Sequence, residues 1–401
     1  MFGRRASWEL DPSLLAARVS ERRQRGLPIF DLAESNPTRV GLDGPGEALA
    51  AALAAIARDP ASAAYEPDPR GDRSAREAIA AYHAAQGAAL DPDHVILTAG
   101  TSEGYAHLFR LLADPGNRVH LPSPGYGLFE QLAALEGLEA APYRLRPARS
   151  GPRWRVDQPA LAASLAPQSR ALLAIHPHNP TGSLLDADDL AAFRALARER
   201  KLALISDEVF AESGAGTTRF VSLLCGAEDG PLHFVLSGAS KLLGLPQLKV
   251  AWIAVAGPPA ARDEALARLE LIADAYLSVS PLLARALALL LPQRAALVAP
   301  LYARLAANRA QLSLLDPARG VAALPSEAGW AAILRVRARE SDDAALAARL
   351  VAETGLRVQP GSLFELEPPP GEAQLVLSLL PEPDLFARGL AALADFAATL
   401  A

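Results

Sequence analysis

The chain has 401 residues, 51 % of them apolar and 21 % charged, enough to bury a large core in two domains, or in one large domain with a smaller satellite. Its net charge of −6, with no basic block, argues against a nucleic-acid or anionic-membrane partner. The single cysteine, Cys225, excludes an internal disulfide framework and a cysteine-based metal cluster, so no metal is expected.

The opening stretch MFGRRASWEL has no apolar signal-peptide core, and a soluble cytoplasmic protein is the expectation. No apolar run is expected to reach the length of a membrane span; even PLLARALALLLP is broken by Arg285. From residue 94 onward, short β-type runs alternate with Ala/Leu-rich helical stretches. HVILTAG (94–100) and NRVHLPSPGY (117–126) each precede a helix. RALLAIHP (170–177) leads to DADDLAAFRALARERK, whose acidic start and basic end suit the helix dipole. LALISDEV (202–209), HFVLSG (233–238) and VAWIAV (250–255) follow as nearly continuous apolar strands. Such runs, alternating with helices, predict a mostly parallel α/β sheet covered on both faces.

After Pro281 the texture changes to long helices that Pro292 and Pro300 should end or kink. Then come a strand at WAAILRV (330–336), a helix opened by Ser341, Asp342 and Asp343, short strands around 356–359 and 374–380, and a final helix from Pro383. This reads as a smaller α+β unit, and the first 44 residues are expected to pack with it.

Lysine is almost absent. Of 39 Lys and Arg residues only Lys201, Lys241 and Lys249 are lysine, and two of these stand inside the small-residue segment FVLSGASKLLGLPQLKVAW. An amine, unlike a guanidinium, can lose its proton and condense with an aldehyde to a Schiff base. Lys241 follows an apolar strand and is flanked by Gly238, Ala239 and Ser240, which leave room for a ligand. The plain alternative is a solvated loop lysine, against which the scarcity of lysine elsewhere weighs.

An aldehyde cofactor such as pyridoxal phosphate makes further demands. Its ring nitrogen needs a carboxylate, its phosphate needs helix-start amides and a cation, and its ring needs an aromatic face. Asp207 in LISDEVF ends an apolar strand, where ligands meet α/β sheets, although such an acid also caps turns. TAGTSEGY offers Gly100, Thr101 and Ser102 at a strand-to-helix turn, residues that are also ordinary N-caps. SPGYGLF places Tyr126 after a Pro-Gly turn, and HPHNPTG places Asn179 beside a proline. Each is weak alone; together, in order, they answer every demand.

Between about Asn36 and Phe364 the sequence resembles the class I/II aminotransferases, the aspartate aminotransferase-like pyridoxal 5'-phosphate enzymes of fold type I. NPTG (179–182), DEV (207–209) and SK (240–241) carry the resemblance. It implies that Lys241 holds the cofactor and shuttles a proton, Asp207 pairs with the ring nitrogen, Asn179 with the phenolic oxygen, and Tyr126 stacks on the ring. Thr101, Ser102 and Lys249 would bind phosphate. Tyr65 in YEPDPRG would reach the phosphate of a neighbouring subunit, implying a homodimer with shared sites. The implied architecture is a large domain over 45–285 and a small domain from 1–44 and 286–401. The implied reaction moves an amino group between an amino acid and a 2-oxo acid.

Three departures stand out. Phe210 replaces the family's tyrosine donor to the phenolic oxygen, which implies that the loaded site stays protonated to higher pH. Gly238 replaces the serine three before the lysine, with Ser237 one residue earlier. The carboxylate-binding arginine is missing: its position is Val376, and no arginine occurs between Arg357 and Arg388. Arg39, after ESNPT, is the first substitute candidate, followed by Arg70, Arg335 and Arg337, while Trp330 is a further substrate-binding candidate. A lyase, decarboxylase or oxidase on the same scaffold is the alternative reading; a cofactor-binding regulatory protein without turnover is the third.

Overall fold

A computed structural model describes residues 2–8, 11–42, 44–148, 153–214, 220–228, 230–277, 279–338 and 342–400. The apolar runs form β1 (Val95–Thr98), β2 (Arg118–Ser123), β5 (Ser169–Ile175), β6 (Ala203–Asp207), β7 (His233–Gly238) and β8 (Ala251–Ala256). With β3 (Glu139–Pro147) and β4 (Trp154–Val156) they make one eight-stranded sheet, ordered β1-β8-β7-β6-β5-β2-β3-β4. The stretch from β7 to β3 is parallel, while β8 runs antiparallel to both its neighbours. The two strands that pattern reading leaves out, β3 and β4, lie at the sheet edge. EAAPYRLRP fully buries only Tyr143 and Leu145, too thin an apolar content to read as a run.

A second sheet, ordered β9-β10-β12-β11, joins β9 (Val321–Ala323), β10 (Ala331–Arg337), β11 (Gln359–Pro360) and β12 (Glu372–Ser378) in antiparallel fashion. The N-terminal residues dock on this unit. Phe30 and Asp31 pair in parallel with Leu356 and Arg357, and Arg22 on α1 (Leu14–Gln24) donates to the carbonyl of Ala352. Apolar clusters follow the same division: Leu32 and Val40 pack with residues from Val298 onward, whereas Ala52 and Ile56 pack with Val95, Trp252 and Leu287. Asp342 caps the helix Asp343–Thr354, accepting from Ala345 N–H at 2.9 Å; Ser341, named with it above, lies outside the described residues.

Two expectations are corrected by the helices after Pro281. Pro292 ends the helix Pro281–Leu290 in a 3-10 turn, but Pro300 does not end the helix Arg294–Leu312, which continues past it. Proline deletes one backbone bond there, while Val298, Leu301 and Leu305 bury the face that fixes the helix. Within Pro281–Leu312 an 18-residue window reaches a mean hydropathy of 1.5, long and apolar enough by length and composition alone to cross a membrane, contrary to the sequence expectation. Arg285 on this segment is engaged by Asp72 Oδ2 at 3.0 Å. The segment's apolar residues serve two cores at once, Leu287 and Leu290 on one side and Leu301 and Leu305 on the other.

Candidate active site

The parallel strands β5, β6 and β7 end together, and their C-terminal ends face the second sheet across a cavity of about 360 Å³. Strand ends of open α/β sheets are where ligands bind, because helix N-termini and loops converge there. Helix α2 (Thr101–Leu112) reaches this edge because Gly104 lets it lie close on β7. A Cβ at Gly104 would stand 2.7 Å from Leu236 Cδ2. Gly238 plays a similar part between β7 and β8, where a Cβ would meet Ala251 Cβ at 2.8 Å. The serine that the family resemblance puts at that position would not fit.

Lys241 sits in the short helix Ala239–Leu242 that follows β7 and lines the cavity. Its Nζ lies 4.8 Å from the Trp330 ring centre and 5.6 Å from that of Phe210, and the two rings meet edge to face. Burial holds the Lys241 amine below the ordinary lysine value, opposed by the charge of Asp207. Asp207 ends β6 and accepts from the Tyr105 hydroxyl at 2.7 Å and from Val209 N–H at 3.1 Å. Its burial pushes the carboxyl up to about 6, against the pull of those two donors and of Lys241. The neighbouring Glu208 faces the other way. It accepts from Ser222, Leu223 N–H and Ser206, and burial raises it to about 7.

The structure brings Lys241, Asp207, Asn179, Tyr126, Thr101 and Ser102 together around this cavity, with Trp330 opposite them. Tyr126, half exposed, tilts against Phe364 at 6.2 Å, and Gly125 N–H bonds the Phe364 carbonyl at 2.9 Å, tying this wall to the second unit. Gly100 caps α2 at the cavity's border. Lys249 Nζ stands 3.3 Å from where a Gly100 Cβ would be, next to the free amides of the helix start.

Five expected residues are not among those lining the cavity: Gly100 and Lys249, which meet at its border, and Ser237, Tyr65 and Arg39, of which Tyr65 is expected at a neighbouring subunit's site. Ser237 is buried in β7 with its Oγ unpartnered among the described residues; strand alternation turns it from the face on which Leu236 packs and Asp207 meets Tyr105. Tyr65 is 74 % exposed on a segment without helix or strand. Arg39 is corrected as well: the N-terminal segment contributes Ala33 and Ser35 instead. Asn36 accepts from Thr38 N–H at 3.0 Å and starts the 3-10 helix Pro37–Arg39, which leaves Arg39 exposed at its far end. Arg70 is committed to Glu270 at 2.7 Å, and neither it nor Arg335 nor Arg337 lines the cavity. Tyr105 and Gln359 line the cavity but went unread in the sequence. Tyr105 lies four residues after Thr101, one helical turn along the same face, which is the signal that could have found it.

The donor set fits pyridoxal phosphate: a buried amine, a strand-end carboxylate with raised pKa, an aromatic, and a helix start whose Gly100 leaves a cradle beside a cation. The family model for aminotransferase class I and II matches residues 28–379. An S-alkyl-thiohydroximate lyase from Arabidopsis thaliana is 33 % identical over 169 residues, 42 % of this chain and 36 % of the lyase. Human tyrosine aminotransferase is 26 % identical over 266 residues, 64 % of this chain and 58 % of the relative, so the chain spans only about a third to three fifths of these relatives. The structure of N-succinyldiaminopimelate aminotransferase from Mycobacterium tuberculosis superposes with a TM-score of 0.79 at 25 % identity, covering 96 % of this chain and 97 % of that one.

Proposed function

The chain belongs to the class I and II aminotransferase family, whose members use pyridoxal 5'-phosphate, and from that premise we propose that it is an aminotransferase moving an amino group between an amino acid and a 2-oxo acid through Lys241. Amino acids and 2-oxo acids are the substrates of the family. The observation that carries the proposal is the buried Lys241 amine facing Asp207 across one cavity.

Lys241 would hold the cofactor's aldehyde, Asp207 its ring nitrogen, Asn179 its phenolic oxygen and Tyr126 its ring face, with Thr101, Ser102 and Lys249 at its phosphate. When bound, the cofactor supplies an electron sink for the bond broken at the substrate carbon. Burial favours the neutral form of the Lys241 amine, which suits it to take a proton at Nζ and return it. Asp207, ionised opposite a ring N–H, would keep that nitrogen protonated, and the Tyr105 hydroxyl holds the carboxylate in place. Trp330 and Phe210 place their rings 4.8 and 5.6 Å from the amine.

The division into 45–285 and 1–44 with 286–401 belongs to the same proposal, as does a cytoplasmic homodimer. Exposed Leu271, Tyr276 and Leu277 at the end of the helix Pro259–Tyr276 offer apolar surface for a second copy, and exposed Tyr65 would reach across to the partner's phosphate. Sedimentation should show a dimer. Borohydride reduction of the yellow loaded protein, followed by peptide mapping, should place the pyridoxyl group on Lys241. Finding it on Lys201 or Lys249, or nowhere, would overturn the assignment.

A further inference from the structure

The Lys241 amine lies beside two rings that arrive from different sheets. Phe210 follows the end of β6, and Trp330 stands immediately before β10. Their centres are 5.6 Å apart at an interplanar angle of 69°, and Nζ lies 4.8 Å from the Trp330 centre and 5.6 Å from that of Phe210. We infer that Ser213 is the positioning residue that sets these two rings against each other and so shapes the surroundings of the reacting amine, a role that rests on the amino-transfer reading and adds to it.

Ser213 is 4 % exposed. Its hydroxyl donates to the Phe210 carbonyl at 2.6 Å and accepts from the Gly329 N–H at 2.9 Å. One oxygen therefore joins the backbone that carries Phe210 to the residue that precedes Trp330. The turn itself does not need the hydroxyl, because the Ser213 N–H already closes it on the Phe210 carbonyl at 2.9 Å. Burying a hydroxyl is costly unless its hydrogen bonds are met, and what this one adds to the turn is the link to Gly329.

Gly329 is held from its other side as well, where Arg309 donates to its carbonyl at 2.9 Å. Its φ of 88° lies in the left-handed region, where glycine turns the chain without strain. The residue before it is also closely placed: a Cβ at Gly182 would collide with the Ala328 carbonyl. Trp330 thus enters β10 from a fixed approach, with its ring over Nζ. Without the Ser213 hydroxyl, the Gly329 N–H keeps the longer bond to the Ser213 carbonyl, at 3.2 Å. The fold survives that change, but Trp330 is held more loosely against Phe210, and water gains access to the amine.

The test uses the full chain free of cofactor, so that it does not depend on turnover. Trace acetylation with acetic anhydride over a range of pH, read by peptide mass with Lys201 as the internal standard, titrates the Lys241 amine. Acrylamide quenching of tryptophan emission, with Trp330→Phe as the blank, reads how well that ring is covered. Burial lowers the amine and the Asp207 charge opposes it, so wetting the site should raise its midpoint. Ser213→Ala should cut Lys241 labelling below the midpoint about tenfold, the equivalent of about one pH unit, and make Trp330 easier to quench. Arg309→Lys, which takes the guanidinium from the Gly329 carbonyl, should move both readouts the same way and decides the matter if Ser213→Ala does not fold. Ser164→Ala removes a similar hydroxyl-to-carbonyl bond, from Ser164 to Leu161 at 2.8 Å away from the cavity lining, and should move neither. Wild-type labelling and quenching in the folded variant would overturn the inference, as would a shift shared by Ser164→Ala. Quenching that moves without the labelling would leave Ser213 a structural tie and overturn it too. If borohydride reduction of the loaded wild type fails to mark Lys241, it is the amino-transfer reading that falls, and the two cofactor-free readouts still decide the part of Ser213.

Discussion

The Tyr105 hydroxyl donates to Asp207 Oδ2 at 2.7 Å, from a side chain that is itself 1 % exposed. The bond joins the helix that starts at the phosphate end of the cavity to the carboxylate at its floor. It holds Asp207 in one orientation and stabilises its ionised form against burial. A hydrogen bond to a charged group contributes about 1.5–3 kcal/mol. Tyr105→Phe should therefore raise the Asp207 midpoint from about 6 by roughly one to two pH units in the cofactor-free protein. The carboxyl band in infrared difference spectra, assigned with Asp207→Asn, measures this. An unmoved midpoint would show that the hydroxyl does not tune the acid.

Tyr105 also shows what the sequence could and could not convey. Asp207, Lys241 and Asn179 were legible because unusual residue types stand at strand ends, and strand ends follow from short apolar runs. Tyr105 looked like any helix aromatic, and only the crossing of α2 over β7, set by Gly104 against Leu236, aims its hydroxyl at Asp207. Arg39 failed for a related reason. Whether a loop arginine points inward depends on one turn, here the Asn36 cap, and no periodicity encodes that. The edge strand β3 escaped because an edge buries too few side chains to leave a pattern.

Glu208 makes the stability of the cofactor-free protein depend on pH in an unusual sense. Its folded-state pKa of about 7 lies above the ordinary 4.5, so between these values the folded chain binds more protons than the unfolded one. Its contribution is fully present below about pH 4.5 and is lost as pH rises through 7. Relative to Glu208→Gln, the wild type should lose about 3 kcal/mol across that window. Urea midpoints for both proteins, measured with Asp207→Asn in the background to remove its similar contribution, check it. A difference that does not vary with pH would refute the raised value.

Glu327 fastens the segment before Trp330 to the other unit. Its carboxylate takes Arg153 Nη2 at 2.7 Å and Nε at 3.1 Å and also accepts from Leu184 N–H at 3.0 Å. Glu327→Ala would leave a buried N–H and a partly buried guanidinium short of partners. The expected cost is about 2–4 kcal/mol in denaturant unfolding. Trp330 is three residues on, so substrate KM should rise with it. An unchanged unfolding midpoint would show that the units hold together without this pair.

Gly100 separates the fold from the site. Its φ of 170 is extended backbone open to any residue, and an added Cβ would meet only Lys249 Nζ, at 3.3 Å. That contact is the far end of a flexible side chain, so Gly100→Ala should fold with an unchanged Tm in the cofactor-free state. The same methyl would intrude between the first amides of α2 and the Lys249 amine, where the phosphate is proposed to lie. Both the amide dipoles and the cation then act from farther away. Cofactor affinity, read by equilibrium dialysis of the unreduced protein, should fall about tenfold, equivalent to about 1.4 kcal/mol. Lys249→Ala should weaken it comparably, and the two losses should be less than additive, because both act on one group. Fully additive losses would mean that Gly100 and Lys249 serve different ligand atoms, and unaltered affinity in both variants would move the phosphate to another part of the cavity.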